Sequence, residues 1–200
     1  LDKNVLLESI DSKNEVSFVF LFEQVFCKYF KINEIVSETD RNRENLLERL
    51  AKFGSVPVLE LTLKKIKKEL SHEEFQNLVK KPCREWGGIL RLVTIHNKND
   101  GSVEFFVNFI KENVNREIFR ELLGGSHGVP HLLLADSYFN FFLALYEQYF
   151  SHSEIYEYLF ENVIKTLENA SMEHLNLLWP NIEEFIVENK KEDGMKGKLV

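Results

Sequence analysis

The chain has 200 residues, 44% of them hydrophobic, with 17 phenylalanines and a formal net charge of −7. That apolar fraction is enough for a core and excludes a disordered chain. The acidic balance excludes general nucleic-acid binding, which needs a basic face. Cys27 and Cys83 have no metal-type spacing. They predict free thiols in a reducing compartment, hence an intracellular, cytoplasmic protein.

Taken in order, the chain starts at Leu1 rather than at methionine, which suggests a trimmed chain from which any targeting segment has been removed. VSFVFLFEQVF, residues 16–26, is strongly apolar, but Glu23 and Gln24 interrupt it. It is too short to span a membrane and predicts a buried helix, with no membrane partner. Around it lies the first of several similar segments. Leu6-Leu7-Glu8 returns as Leu46-Leu47-Glu48, Asn14 falls over Gly54, and Phe18-Val19 over Val58-Leu59. Each copy predicts an apolar helix, a polar turn and a second apolar helix. A third copy, residues 87–110, has the longer turn HNKNDGS, and a fourth covers 128–150.

After each pair comes a further piece: KINEIVSE (31–38), SHEEFQNLV (71–79), NREIFRELL (115–123) and SHSEIYEYL (151–159). Ser71 with Glu74, and Ser151 with Glu154, match the capping box that opens a helix, so the piece predicts a short third helix. Val103, Phe106, Val107 and Ile110 follow the spacing of one helical face, as do Phe139, Phe142, Leu143 and Tyr146. No run alternates long enough to demand a sheet. A lone hairpin of this size cannot bury its apolar face, whereas stacked neighbours share a core. The expectation is a single all-α array over 1–200, an α-solenoid of units 1–39, 40–82, 83–123 and 124–165. Residues 166–193 would form its terminal cap.

The units resemble ankyrin repeats. Asp40 sits at that family's aspartate, Leu47 at its leucine, Ala51 at its second alanine and Gly54 at its turn glycine. Val58 and Leu59 take the paired aliphatic positions. In the fourth copy Val129-Pro130-His131-Leu132 looks like Thr-Pro-Leu-His with its last two residues exchanged, and Ala135 again takes the second alanine. The resemblance covers residues 4–150. The period is about 41 residues rather than about 33, which the added helix accounts for, and a HEAT or armadillo-like solenoid is the alternative. The resemblance implies finger loops beside a concave face that binds a protein partner.

Four motifs bear on chemistry. Gly124-Gly125-Ser126-His127-Gly128 spells G-x-S-x-G, but a nucleophile elbow needs a buried strand before its serine. The preceding NREIFRELL is charged and helical in pattern, so no enzymatic activity is expected. His127 and His131 are four apart but lack the further ligands that zinc requires, and no glycine-rich phosphate loop occurs. No cofactor or metal is expected. LKKIKKEL (63–70) concentrates Lys64, Lys65, Lys67 and Lys68. Such a run suits an acidic partner or a phosphate-rich surface, but it reads first as a solvated helix face paired with Glu60 and Glu69.

CREWGG (83–88) occupies a finger position, and tryptophan and arginine are the residues most enriched at binding hot spots. Arg84, Glu85 and Trp86 there, Arg41 and Arg43 at the equivalent junction, and His127 at the next are the candidate contacts. The expected function is a non-catalytic scaffold or adaptor that binds another protein through these loops and the concave helix face. The alternative is a structural or inhibitory repeat portion of a larger protein, packing on an enzymatic or channel domain.

Overall fold

Helix starts are set by polar side chains that take up backbone N–H groups otherwise left without a partner. Asn45 and Glu48 form a reciprocal capping box, the Asn45 Oδ1 accepting from Glu48 N–H (3.1 Å) and the Glu48 carboxylate from Asn45 N–H (2.7 Å). Ser71 and Glu74 do the same (3.2 and 2.8 Å), as expected from sequence.

The computed structural model describes residues 4–11, 14–40, 42–83, 87–99, 101–124, 138–151 and 153–155, with single helical positions at 183 and 187. Among the described residues the regular elements are all helical, and extended pairing is confined to two isolated bridges, Thr39–Asn45 and Cys83–Gly87. The chain divides into two compact units, Leu1–Val129 and Pro130–Val200.

In the first unit, α1 (Asn4–Asp11) is followed by α2 (Glu15–Phe20). This continues through a π-helical turn (Leu21–Phe26) into α3 (Cys27–Tyr29), and then comes α4 (Ile32–Ser37). The second triplet is α5 (Leu46–Phe53), α6 (Val56–Glu69) and α7 (His72–Lys80). The third is α8 (Ile89–His96), α9 (Ser102–Asn113) and α10 (Arg116–Gly124). The apolar run at 16–26 is therefore helical but buried along one face only: Phe18, Phe22 and Phe26 are at most 1% exposed, whereas Val16 and Phe20 face outward. Phe18 stacks on Phe22 and Phe26 on Phe30, at 5.6 and 5.7 Å. Rings at every fourth residue drift round an ordinary helix of 3.6 residues per turn; the wider i→i+5 turn brings them back toward one line.

Packing follows the order of the copies. α5 lies between α1 and α8, α6 between α2 and α9, and α7 against α10. Helix α5 is buried almost all round, and Ala51, fully buried, gives its neighbours a small side chain to approach. Gly54 ends α5 for a steric reason: a Cβ there would lie 2.7 Å from the Leu50 carbonyl oxygen and from Leu59 Cδ2. Gly101 is required differently, by a left-handed φ of 70° at the start of α9.

The corner between second and third helix recurs with the same atoms. Phe30, Leu70 and Val114 each leave the helix in extended conformation while donating N–H to Phe26, Ile66 and Ile110 carbonyls at 2.9–3.1 Å. The next residue, Lys31, Ser71 or Asn115, opens the third helix. Four residues beyond it Ile35, Phe75 and Phe119 are buried.

The second unit contains α11 (Phe139–Tyr149). Its end repeats the corner: Phe150 N–H donates to the Tyr146 carbonyl (2.8 Å), Ser151 and Glu154 form the expected capping box, and Ile155 is buried. Among the described side chains of α11, Phe142 and Tyr146 are buried as the spacing predicts, Leu145 is buried beside them, and Leu143 is half-buried. The side chain of Phe139 lies outside the described residues.

Candidate functional site

The loop before α5 is a short hairpin. Asp40 N–H donates to Glu44 O (3.0 Å) and Arg43 N–H to Asp40 O (2.9 Å), with Thr39 bridged to Asn45. Arg43, at the tip, is exposed and has a left-handed φ of 61°. Such a backbone costs a non-glycine residue about 1–3 kcal/mol and persists only where the surroundings enforce it. Here the enforcing group is a buried polar cluster. Asp40 Oδ1 accepts from Glu44 N–H (2.8 Å) and Oδ2 pairs with the Arg49 guanidinium. The Arg49 Nε lies 3.0 Å from Glu44, and Lys52 pairs with the same carboxylate. The Arg49 and Asp40 side chains are 9% and 7% exposed, so removing one partner would leave a charge in low dielectric.

The loop before α8 is closed by paired backbone bonds, Cys83 N–H to Gly87 O (2.6 Å) and Gly87 N–H to Cys83 O (2.9 Å). Gly87 supplies the left-handed turn (φ 79°). Cys83 is buried. Burial pushes its thiol well above the ordinary range, and the neighbouring Glu48 carboxylate adds to the shift. Both cysteines are free thiols.

At the opposite end of the hairpins, side chains replace backbone pairing. Asn97, 1% exposed, donates from Nδ2 to the carbonyls of Ala51 (3.1 Å) and Gly54 (2.9 Å). Asn99 Nδ2 reaches Phe53 O (3.0 Å), and its N–H returns to Asn97 Oδ1 (3.0 Å). Asn97 and Asn99 thus fasten the end of α8 to the end of α5.

A groove of about 410 Å³ opens between the π-helical turn, with Cys27 of α3, and α6. Its apolar lining is Phe22, Leu61 and the half-buried Cys27. Lys64, Lys65 and Lys68 form one wall, Glu23 and Gln24 the other. Two of the lysines make the helical pairs expected from sequence, Lys64–Glu60 (2.6 Å) and Lys65–Glu69 (2.5 Å). The hydrogen bond to Glu69 raises the Lys65 pKa; burial raises that of Cys27, opposed by Lys65.

Of the finger residues singled out by sequence, Arg43 is the one the structure describes. Arg41, Arg84, Glu85, Trp86 and His127 lie outside the described residues, as do Ser126 and His131. Helix α10 runs into Gly124, so the segment before the G-x-S-x-G match is a helix rather than a strand. Among the described residues no three His, Cys, Asp or Glu side chains are grouped to hold a metal ion, and no helix is long and apolar enough to cross a membrane. Compared with known proteins, the chain matches no family model, no curated protein and no solved structure at a significant level. Neither the Asn97 bonds nor the groove has a signal in the local sequence, because both depend on residues in another copy.

Proposed function

We propose that the chain is a non-catalytic protein-recognition module built from divergent ankyrin-like units, with its finger loops as the contact surface. The observation that carries this reading is the first finger. Its tip residue Arg43 stands exposed in a costly backbone conformation, while its base is held by Asp40, Glu44 and Arg49. A loop held in one shape before binding loses little ordering entropy when a partner arrives. The like-with-like packing of α1, α5 and α8, and of α2, α6 and α9, supports a solenoid of hairpins. The two bridged loops at equivalent junctions favour ankyrin-like over HEAT-like units.

The test is affinity capture from source cells with the native chain and with Arg43→Ala, Arg84→Ala and Trp86→Ala variants of unchanged helical content. Loss of the same captured protein in the variants supports the reading. Equal capture removes these residues from it.

Exposed apolar side chains on the first hairpin favour a second reading, a repeat portion that packs on another domain. Val16 is 81% and Phe20 59% exposed. Further folded sequence in the full reading frame, cross-linking to this hairpin, would support it over a free-standing adaptor.

A further inference from the structure

We propose that the open groove between the π-helical turn and α6 binds an acidic peptide segment carrying an aromatic or aliphatic side chain. The argument comes from comparing α6 with α9. Their buried residues match in spacing: Val58, Leu59, Thr62, Leu63 and Ile66 on α6 correspond to Ser102, Val103, Phe106, Val107 and Ile110 on α9. In that register Leu61 and Lys65 correspond to Phe105 and Phe109, and Lys64 and Lys68 to Asn108 and Glu112.

On α9 the two rings close the seam with the preceding triplet. Phe105 stacks on Phe109 at 6.3 Å, and Phe109 meets Phe75 of α7 edge-on at 6.3 Å. On α6 one ring is replaced by leucine and the other by lysine, and both Leu61 and Lys65 line the open groove. The groove is therefore the place where one seam lacks the aromatic filling of the next, and its apolar lining suits a side chain of that kind.

The charge of the walls selects what such a side chain is attached to. Lys64, Lys65 and Lys68 lie along one side. Two of them are held by Glu60 and Glu69, whose carboxylates show the interaction that a ligand carboxylate would make. Exposed pairs of this kind are weak and exchange readily. Glu23 on the other wall repels a second acidic strip, so carboxylates are confined to the α6 side. This site is separate from the finger loops, and its test is independent of theirs.

A random linear-peptide library selected on the native chain should enrich sequences in which Asp or Glu flanks an aromatic or large aliphatic residue. Replacing Lys64, Lys65 and Lys68 together by glutamine should weaken an enriched peptide about tenfold or more. Lys65→Phe, which puts into the groove the ring found at position 109, should block the peptide while leaving the helical signal intact. It decides the matter even if the triple variant does not fold. Failure to enrich acidic sequences overturns the proposal. So does undiminished binding to Lys65→Phe, or retention of single-stranded DNA or anionic vesicles through these lysines in place of peptide.

Discussion

The two seams of the first compact unit are made from corresponding helices in the same order, yet they are finished differently. Between the second and third triplets, Asn97 and Asn99 fasten one end with three hydrogen bonds. Phe105, Phe109 and Phe75 fill the space further along. Between the first and second triplets, a small cavity of about 30 Å³ lies beside Asn14 and Ser55, and the lysine-walled groove opens between the π-helical turn and α6. Equal backbone architecture thus leaves room for unequal use: one seam holds the stack, the other keeps a place for something else.

The largest effect expected on this contrast is from Asn97→Ala. It strands the Ala51 and Gly54 carbonyls in a buried turn and should cost about 2–3 kcal/mol, read as a lower urea midpoint. Phe109→Lys copies the open seam onto the closed one. Loss of ring contacts from this half-buried site should cost about 2 kcal/mol in the same assay. The reverse change, Lys65→Phe, should raise stability by about 0.5–1 kcal/mol by covering the half-buried Leu61 and Cys27. A loss instead would mean that the first seam cannot accept the closed arrangement.

The smallest effect concerns pH. Burial, aided by Lys52 and Lys98 and opposed by Glu44, lowers the His96 pKa below its ordinary value near 6.5. The unfolded chain then binds more protons in the window between the lowered and ordinary values, so stability rises with pH there and falls on acidification. In His96→Gln that part of the pH slope should vanish; an unchanged slope would place the proton elsewhere.

Much of this architecture was legible in the sequence because it is local. Ser71 and Glu74 announce their helix through a three-residue spacing, and the apolar faces of α6 and α9 are periodic. The short third helix could be read from four similar segments, and the structure describes it in three copies and its start in the fourth. The π-helical turn was not legible, since phenylalanines at every fourth residue fit an ordinary helix nearly as well. Asn97 reads as one more polar turn residue until Ala51 and Gly54 are brought beside it. The lysine run reads as a solvated face, and its groove exists only because the π-helical turn stands on the far side. The finger residues Arg84 and Trp86 rest on chemical type and on their place at a repeat junction, and they lie outside the described residues.

The burial of Cys83 at the base of the second loop gives the native chain a built-in stopwatch. A maleimide dye added to the folded protein should mark half-buried Cys27 first. Cys83 should follow only when the Cys83–Gly87 pairing lets go, because its sulfur is covered and holds its proton. The lag between the two labels, followed by mass, would time how often that loop lifts from its seat, without altering a single residue.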